Sequence, residues 1–138
     1  NLVCSPGGTA SGVLIRAGEV VAGHDLVRAR RGNKPGAHLA RGPGNLAQAL
    51  GLTSRRLDGS PALGGGELTI SLADVAVSEN TNRIRSGPRV GVNPAATGGT
   101  LPWRFWLDGD PTVSAFRVGG QPRNAGAAKK SRSSSADR

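Results

Sequence analysis

The chain has 138 residues, a length that suits one domain, and a net charge of +9. It has one cysteine, Cys4, which excludes an internal disulfide, and no apolar run approaches the ~18 residues that span a bilayer. Charge of this size favours a polyanionic partner, usually nucleic acid. Over half of the excess lies from Arg117 onward, so a solvated basic tail on a mildly basic domain is the alternative.

The first half of the chain predicts one or two strands and two short helices. Residues 11–21 are rich in branched side chains and predict a strand, with a bend at Gly18. A short helix follows, in which Asp25 is the expected cap and Leu26 and Ala29 share one face. Gly32 suits its end, and residues 32–38 predict a loop.

The segment RGPGNLAQALG, residues 41–51, predicts a second helix of about two turns. Pro43 suits a first turn, and Gly51 suits a left-handed end. With Arg41 just before it, the amino end is a candidate phosphate site. GPGNLA also fits a dinucleotide fingerprint, but that motif needs a preceding strand, and GNKPGAHLAR is typical of a loop.

The second half predicts short strands separated by loops. The expected strands are residues 67–74, two within 83–92 joined at 86–88, 101–107, and a strand or bridge at 112–116. In the strand at 101–107, Trp103, Phe105 and Leu107 share one side. We therefore predict a single mixed α+β domain with a largely antiparallel sheet, and a disordered basic tail at 119–138.

Few side chains carry an obvious chemical signal. His24 and His38 have no carboxylate arrangement between them, so no metal site is predicted, and Cys4 is expected to be a buried structural residue. Arg16 interrupts the apolar run VLI. It either points to solvent or turns inward, where it must meet an anion, a carboxylate or an ordered water.

Five stretches, in order, resemble the alkyladenine (3-methyladenine) DNA glycosylase family: NLVC…VLIRAGE, DLVRARRG, LARGPGNLAQALGL, PRVGV and PWRFWLDGDPTVSAF. The match covers residues 1–117, and RGPGNLAQALG is its most recognisable helix start. The resemblance implies an open-barrel fold, with residues 1–118 forming the carboxyl-terminal two-thirds of the glycosylase domain. It also implies monofunctional base excision without a metal or another cofactor. An alkylated or deaminated purine is flipped out of duplex DNA, and water hydrolyses its N-glycosidic bond, leaving an abasic site.

The resemblance assigns roles residue by residue. Arg16 matches the arginine that holds the attacking water beside the catalytic glutamate, and the backbone carbonyl of Val90 matches one that faces the same water. Asn1 matches a base-pocket asparagine that discriminates against the amino group of guanine. Charge and the helix amino end further predict contacts to the DNA backbone from Arg28, Arg30, Arg31, Arg41 and Asn45.

The sequence departs from the family in one respect. The family's catalytic glutamate, its pocket aromatics and its wedging tyrosine all precede the position of Asn1, and the chain contains no tyrosine. The two tryptophans lie in the strand at 101–107, where the resemblance implies that aromatic side chains belong to the core. We therefore expect the sequence to be incomplete at its amino end and these 138 residues alone to be inactive. A cytoplasmic bacterial monomer that acts on damaged double-stranded DNA at the nucleoid, and not at a membrane, is expected.

A second hypothesis is a non-catalytic module that binds DNA or RNA. The basic tail and the arginine clusters permit it. The resembled family shares its open barrel with a tRNA-binding domain of formyltransferases, so the fold alone does not discriminate between the two. Salt-dependent binding without a preference for damage would favour the module.

Overall fold

A computed structural model describes residues 1–3, 5, 7–8, 11–71 and 82–117. The predicted mixed α+β class is confirmed by its helices and small antiparallel sheet. In chain order the elements are α1 (His24–Arg31), α2 (Gly36–Leu39), α3 (Pro43–Leu50), a 3-10 turn (Arg55–Leu57), β1 (Ile84–Gly87) and β2 (Arg104–Leu107). Cys4, the end of the strand expected at 67–74, and the expected tail lie outside the described residues. Within those residues, no helix has the length and apolarity that a membrane crossing requires.

A small apolar core joins the three helices. Leu39 of α2 is completely buried and is the largest side chain in this core. Ala40 and Ala49 are buried in the same cluster, and their small side chains let the helices pack closely around Leu39. The full cluster, with two partly buried members at its edge, is Val27, Leu39, Ala40, Ala49, Val20 and Leu46. The helices that carry the basic residues are therefore fixed to one another.

Helix α3 begins and ends where the sequence predicts. Pro43 occupies its first turn, and Gly51 follows it with φ 76° in the left-handed region. The Gly51 N–H donates to the Gln48 carbonyl at 3.1 Å, and the Leu52 N–H donates to Ala47 at 2.8 Å. These two bonds satisfy carbonyls that the end of a helix would otherwise leave unpaired.

Gly51→Ala should destabilise the protein by about 1 kcal/mol, because alanine disfavours the left-handed conformation. The added Cβ would also lie 3.0 Å from the Arg30 guanidinium carbon, which would have to move. Gly44→Ala is the matched control, since no atom lies within 4 Å of its new Cβ and alanine favours a helix. Urea unfolding should show a lower free energy of unfolding for Gly51→Ala and a slightly higher one for Gly44→Ala. Equal stability of the two would contradict this account of the helix end.

Helix α1 buries a different face from the one expected. It starts at His24 after Gly23, and Asp25 lies in its first turn without capping it. Val27 is the buried residue, whereas Leu26 is 56% exposed. The prediction that Leu26 and Ala29 form the apolar face is therefore wrong. Val27 is buried because its side of α1 contacts α2 and α3. The spacing of apolar residues in the sequence could not identify that side.

Four predicted strands do not form in the described residues, and two of them precede β1. Residues 11–21 make only isolated bridges, between Leu2 and Val13 and between Ala17 and Arg41. Residues 67–71 form no strand either. A strand is stabilised by a neighbour that completes its ladder, and branched side chains alone do not supply one.

The sheet is a pair of short antiparallel strands. Ile84 lies opposite Leu107, and Gly87 lies opposite Arg104 at the other end. The second strand predicted within 83–92 does not form; Pro88 lacks the N–H that would continue the ladder. Residues 112–116 also form no strand or bridge, since the chain turns at 108–112 and then runs without a partner ladder.

The aromatic side chains of β2 do not form the predicted core. Trp103 is 60% exposed and Phe105 is 70% exposed. Trp106, on the opposite face, packs over Gly87, where an added Cβ would lie 3.2 Å from its ring. The expectation of a core here came from the resemblance; alternation shows only which residues share a face, and burial depends on whether another element covers that face.

Candidate nucleic-acid interface and arginine pair

Three of the residues predicted to contact DNA meet in one cleft. The basic cleft has a volume of about 400 Å³ and is lined by Arg31, Lys34, His38, Arg41 and Asn45. Lys34 and His38 were not predicted. The available signal was their position in the sequence between Arg31 and Asn45; Lys34 lies in the connection after α1, and His38 lies in α2.

Arg31 is fixed to both neighbouring helices. Its Nε donates to the Leu39 carbonyl of α2 at 2.9 Å, and one Nη donates to the Gln48 side chain of α3 at 2.6 Å. The guanidinium is therefore held at the wall of the cleft by residues on both sides. Lys34, in contrast, is exposed, and its ammonium group is a point charge on a flexible side chain.

Arg41 occupies the turn between α2 and α3. One Nη donates to the Val113 carbonyl at 2.7 Å, and the other donates to His38 Nε2 at 3.1 Å. The Asn45 amide donates to the Arg41 carbonyl at 2.7 Å, which fastens this turn to the first turn of α3. Asn45, in the first turn of α3, therefore lines the cleft beside Arg41.

The other two predicted arginines lie outside the cleft lining. Arg28 is exposed and lies 3.9 Å from the Asp25 carboxylate. Arg30 donates to the Ala49 carbonyl at 2.8 Å and packs over Gly51. The predicted cluster on α1 is therefore divided, and only Arg31 joins the cleft.

Arg16 is half-buried, as is Arg104 in β2, a residue that the sequence did not single out. Burial lowers the pKa of the Arg104 guanidinium, and the positive charge of Arg16 lowers it further. Arginine stays protonated in proteins, so the two side chains form a pair of like charges. The sequence did not single out Arg104 because it lies in a strand pattern, where an arginine ordinarily points to solvent.

Arg104 is held in place by two aromatic rings and a carbonyl. Its guanidinium carbon lies 4.4 Å from the centre of the Trp106 ring and 5.9 Å from that of Phe116. One Nη donates to the Ser114 carbonyl at 3.0 Å. Stacking and hydrogen bonding together orient a planar guanidinium that could otherwise rotate.

The residues Val113 and Ser114 connect the cleft to the arginine pair. Arg41 binds the first carbonyl from the helical side, and Arg104 binds the second from the sheet side. The preceding turn is fixed by Asp110, whose carboxylate accepts from the Thr112 hydroxyl and N–H at 2.6 and 2.8 Å. These bonds hold the pKa of Asp110 below its ordinary value.

Val90 lies in a half-buried turn just beyond the end of β1 where Gly87 pairs with Arg104. No group in the described ranges donates to its carbonyl oxygen. Asn1 is exposed and lies next to the bridge between Leu2 and Val13. Val90 is thus at the same end of the sheet as Arg104, while Asn1 lies beside the segment that leads to Arg16.

The part of the chain that the structure describes contains no group of three or more His, Cys, Asp or Glu residues that could hold a metal ion. His38, one of the two histidines considered as ligands, is instead in contact with Arg41. The polar groups of the cleft are therefore cations, an imidazole and an amide, which suit an anionic ligand.

Comparison with known proteins identifies the family. Residues 1–111 match the model of the methylpurine-DNA glycosylase family. The chain belongs to this family, which confirms the resemblance that its motifs indicated.

Three curated bacterial relatives are each provisionally named a 3-methyladenine DNA glycosylase. The Streptomyces avermitilis protein is 48% identical over 86% of this chain and 54% of its own length. The Frankia casuarinae protein is 45% identical over 89% of this chain and 59% of its own length. The Cutibacterium acnes protein is 44% identical over 86% of this chain and 61% of its own length. The chain therefore spans little more than half the length of these relatives.

Proposed function

We propose that this chain is the part of a monofunctional DNA glycosylase that binds the DNA backbone and orients the attacking water. The enzyme flips an alkylated or deaminated purine out of duplex DNA and hydrolyses its N-glycosidic bond, leaving an abasic site. Membership of the glycosylase family over residues 1–111 carries the proposal. The general base is supplied from outside these 138 residues, so the chain alone is inactive.

Arg16 and Val90 orient the attacking water in this proposal. The half-buried guanidinium can donate to the water oxygen, and the free Val90 carbonyl can accept one of its protons. A water held on both sides reacts faster because its orientation is set before the reaction. Asn1 lies at the rim of the base pocket and rejects guanine by a clash with its amino group.

The basic cleft binds the DNA backbone. Arg31 and Arg41 present oriented guanidinium groups, Lys34 adds an exposed charge, and the amino end of α3 adds backbone N–H donors. Phosphate oxygens accept from all three kinds of group. Such contacts position the enzyme on DNA without reading its sequence.

Lys34→Gln should weaken binding to duplex DNA and lower the slope of log affinity against log salt by about 0.9, the value for one lost phosphate contact. Arg55→Gln is the matched control, because it removes the same charge from an exposed position on the 3-10 turn, outside the cleft lining. Fluorescence anisotropy across a salt series measures both slopes. An equal change in the two variants would show that net charge, and not the cleft, governs binding.

Base release tests the proposed reaction. A duplex with one hypoxanthine is incubated with a longer form of the protein that includes upstream coding sequence, then treated with hot alkali. Strand breakage at the hypoxanthine is expected. Its absence, for hypoxanthine and 3-methyladenine alike, would overturn the proposal.

A non-catalytic nucleic-acid-binding module is the second candidate, favoured by a cleft whose charged lining is entirely basic. It predicts equal affinity for damaged and undamaged duplexes in the longer form and no base release. The glycosylase predicts release and tighter binding to a duplex with a weakly paired damaged base, since flipping that base costs less.

A further inference from the structure

The basic cleft contains a histidine, the residue type whose charge ordinarily changes between about pH 5 and 8. His38 lines the cleft, and its side chain is exposed. Its backbone is fixed, because the neighbouring Leu39 is completely buried in the helical core and the His38 N–H donates to the Pro35 carbonyl at 2.8 Å. The imidazole is therefore held at the cleft and is open to both solvent and a ligand.

The contact between His38 and Arg41 belongs to the neutral imidazole. A guanidinium has donors and no acceptor, so Arg41 Nη1 donates across 3.1 Å to His38 Nε2, which must carry no proton. An imidazolium donates from both ring nitrogens and cannot accept this bond. Protonation of His38 therefore releases Nη1 of Arg41, while Nη2 remains bound to the Val113 carbonyl at 2.7 Å and keeps the guanidinium in place.

The charged groups that line the cleft with His38 are all cations. Arg31 comes from α1, Lys34 from the connection after α1, and Arg41 from the turn before α3, which itself adds the uncharged Asn45. In the part of the chain that the structure describes, no carboxylate lines the cleft. The charge of a protonated His38 is therefore balanced by an anion bound in the cleft, and not by a side chain of its lining.

We propose that His38 is a proton-linked contact to the DNA backbone. As a phosphate group binds, His38 takes up one proton from solvent, and its N–H and the released Nη1 of Arg41 both donate to phosphate oxygens. The inference rests on the proposed binding of the DNA backbone in the cleft. Because binding and proton uptake are coupled, the affinity for DNA rises as the pH falls.

The test measures binding of the 138-residue chain to an undamaged duplex by fluorescence anisotropy. Salt series are recorded at about pH 5.5 and about pH 8, on either side of the range in which histidine titrates. We expect the slope of log affinity against log salt to be steeper by about 0.9 at the lower pH, the value for one additional phosphate contact. The affinity at about 50 mM salt should be higher by about tenfold.

Two substitutions at position 38 fix its charge. His38→Gln keeps an acceptor for Arg41 and cannot be protonated, so it should show the shallower slope at both pH values. His38→Lys is positively charged at both, so it should show the steeper slope at both. His24→Gln is the matched control, because His24 lies at the start of α1, outside the cleft lining, and this variant should keep the pH dependence of the parent chain.

Equal slopes at the two pH values in the parent chain would overturn the inference and leave DNA binding by the cleft intact. So would a pH dependence that His38→Gln retains, or one that His24→Gln abolishes to the same extent. The absence of DNA binding at both pH values would overturn the inference together with the proposed role of the cleft. Failure of base release in the longer form would leave these measurements unaffected.

Discussion

Arg41→Ala should lower the free energy of unfolding by about 2–4 kcal/mol, since hydrogen bonds from a charged donor contribute roughly 1.5–3 kcal/mol each. The guanidinium binds the Val113 carbonyl and His38 at 2.7 and 3.1 Å. Removing it leaves a part-buried carbonyl unpaired and disconnects the helices from the segment that Arg104 binds. Urea unfolding followed by circular dichroism measures the loss.

Arg28→Ala is the control for that measurement. Arg28 is an exposed arginine whose ion pair with Asp25 spans 3.9 Å, and exposed pairs contribute about 0–1 kcal/mol. A loss in Arg41→Ala no larger than that in Arg28→Ala would contradict the assigned role of Arg41 as the connection between the helices and residues 113–114.

Arg16→Gln should reduce the single-turnover rate of base release by about 100-fold or more in the longer form of the protein, the cost of removing one preorganised donor. Arg16 makes no described hydrogen bond, so its loss should change stability little. The rate is measured at saturating DNA, where an effect on binding is excluded.

Lys34→Gln supplies the comparison. It is placed in the basic cleft and should weaken DNA binding while leaving the rate at saturation unchanged. If the Arg16→Gln variant also had a normal rate at saturation and only weaker DNA binding, Arg16 would contribute to binding DNA and not to orienting the water.

Local signals predicted both ends of α3, where Pro43 and Gly51 act through backbone conformation alone. They did not predict α2, Gly36–Leu39, most of which lies in the expected loop at 32–38. The strands depended on partners distant in the sequence, and among the described residues only 84–87 and 104–107 pair in a ladder. The buried side of β2 depended on packing as well, which is why Trp103 and Phe105 were wrongly expected in the core.

The candidate site was also predicted only in part, because some of its residues lie on neighbouring elements and others depend on contacts between distant parts of the sequence. Arg31, Arg41 and Asn45 lie on or beside two adjacent helices, so their convergence follows from nearby elements. Arg104 is connected to the helices through residues 113–114, because Arg41 binds the Val113 carbonyl and Arg104 binds the Ser114 carbonyl. No local pattern in the sequence predicts a contact of that range. The roles of Arg16, Val90 and Asn1 in the reaction stay predictions.

Release of hypoxanthine from a duplex, compared between the 138-residue chain and a longer form with upstream coding sequence, tests the central claim most directly. We predict strand breakage after hot alkali with the longer form and none with the 138 residues. Breakage by neither form would contradict the glycosylase function and favour a binding module. Breakage by the 138-residue chain would show that the general base lies within it, and would contradict the assignment of that base to residues outside it.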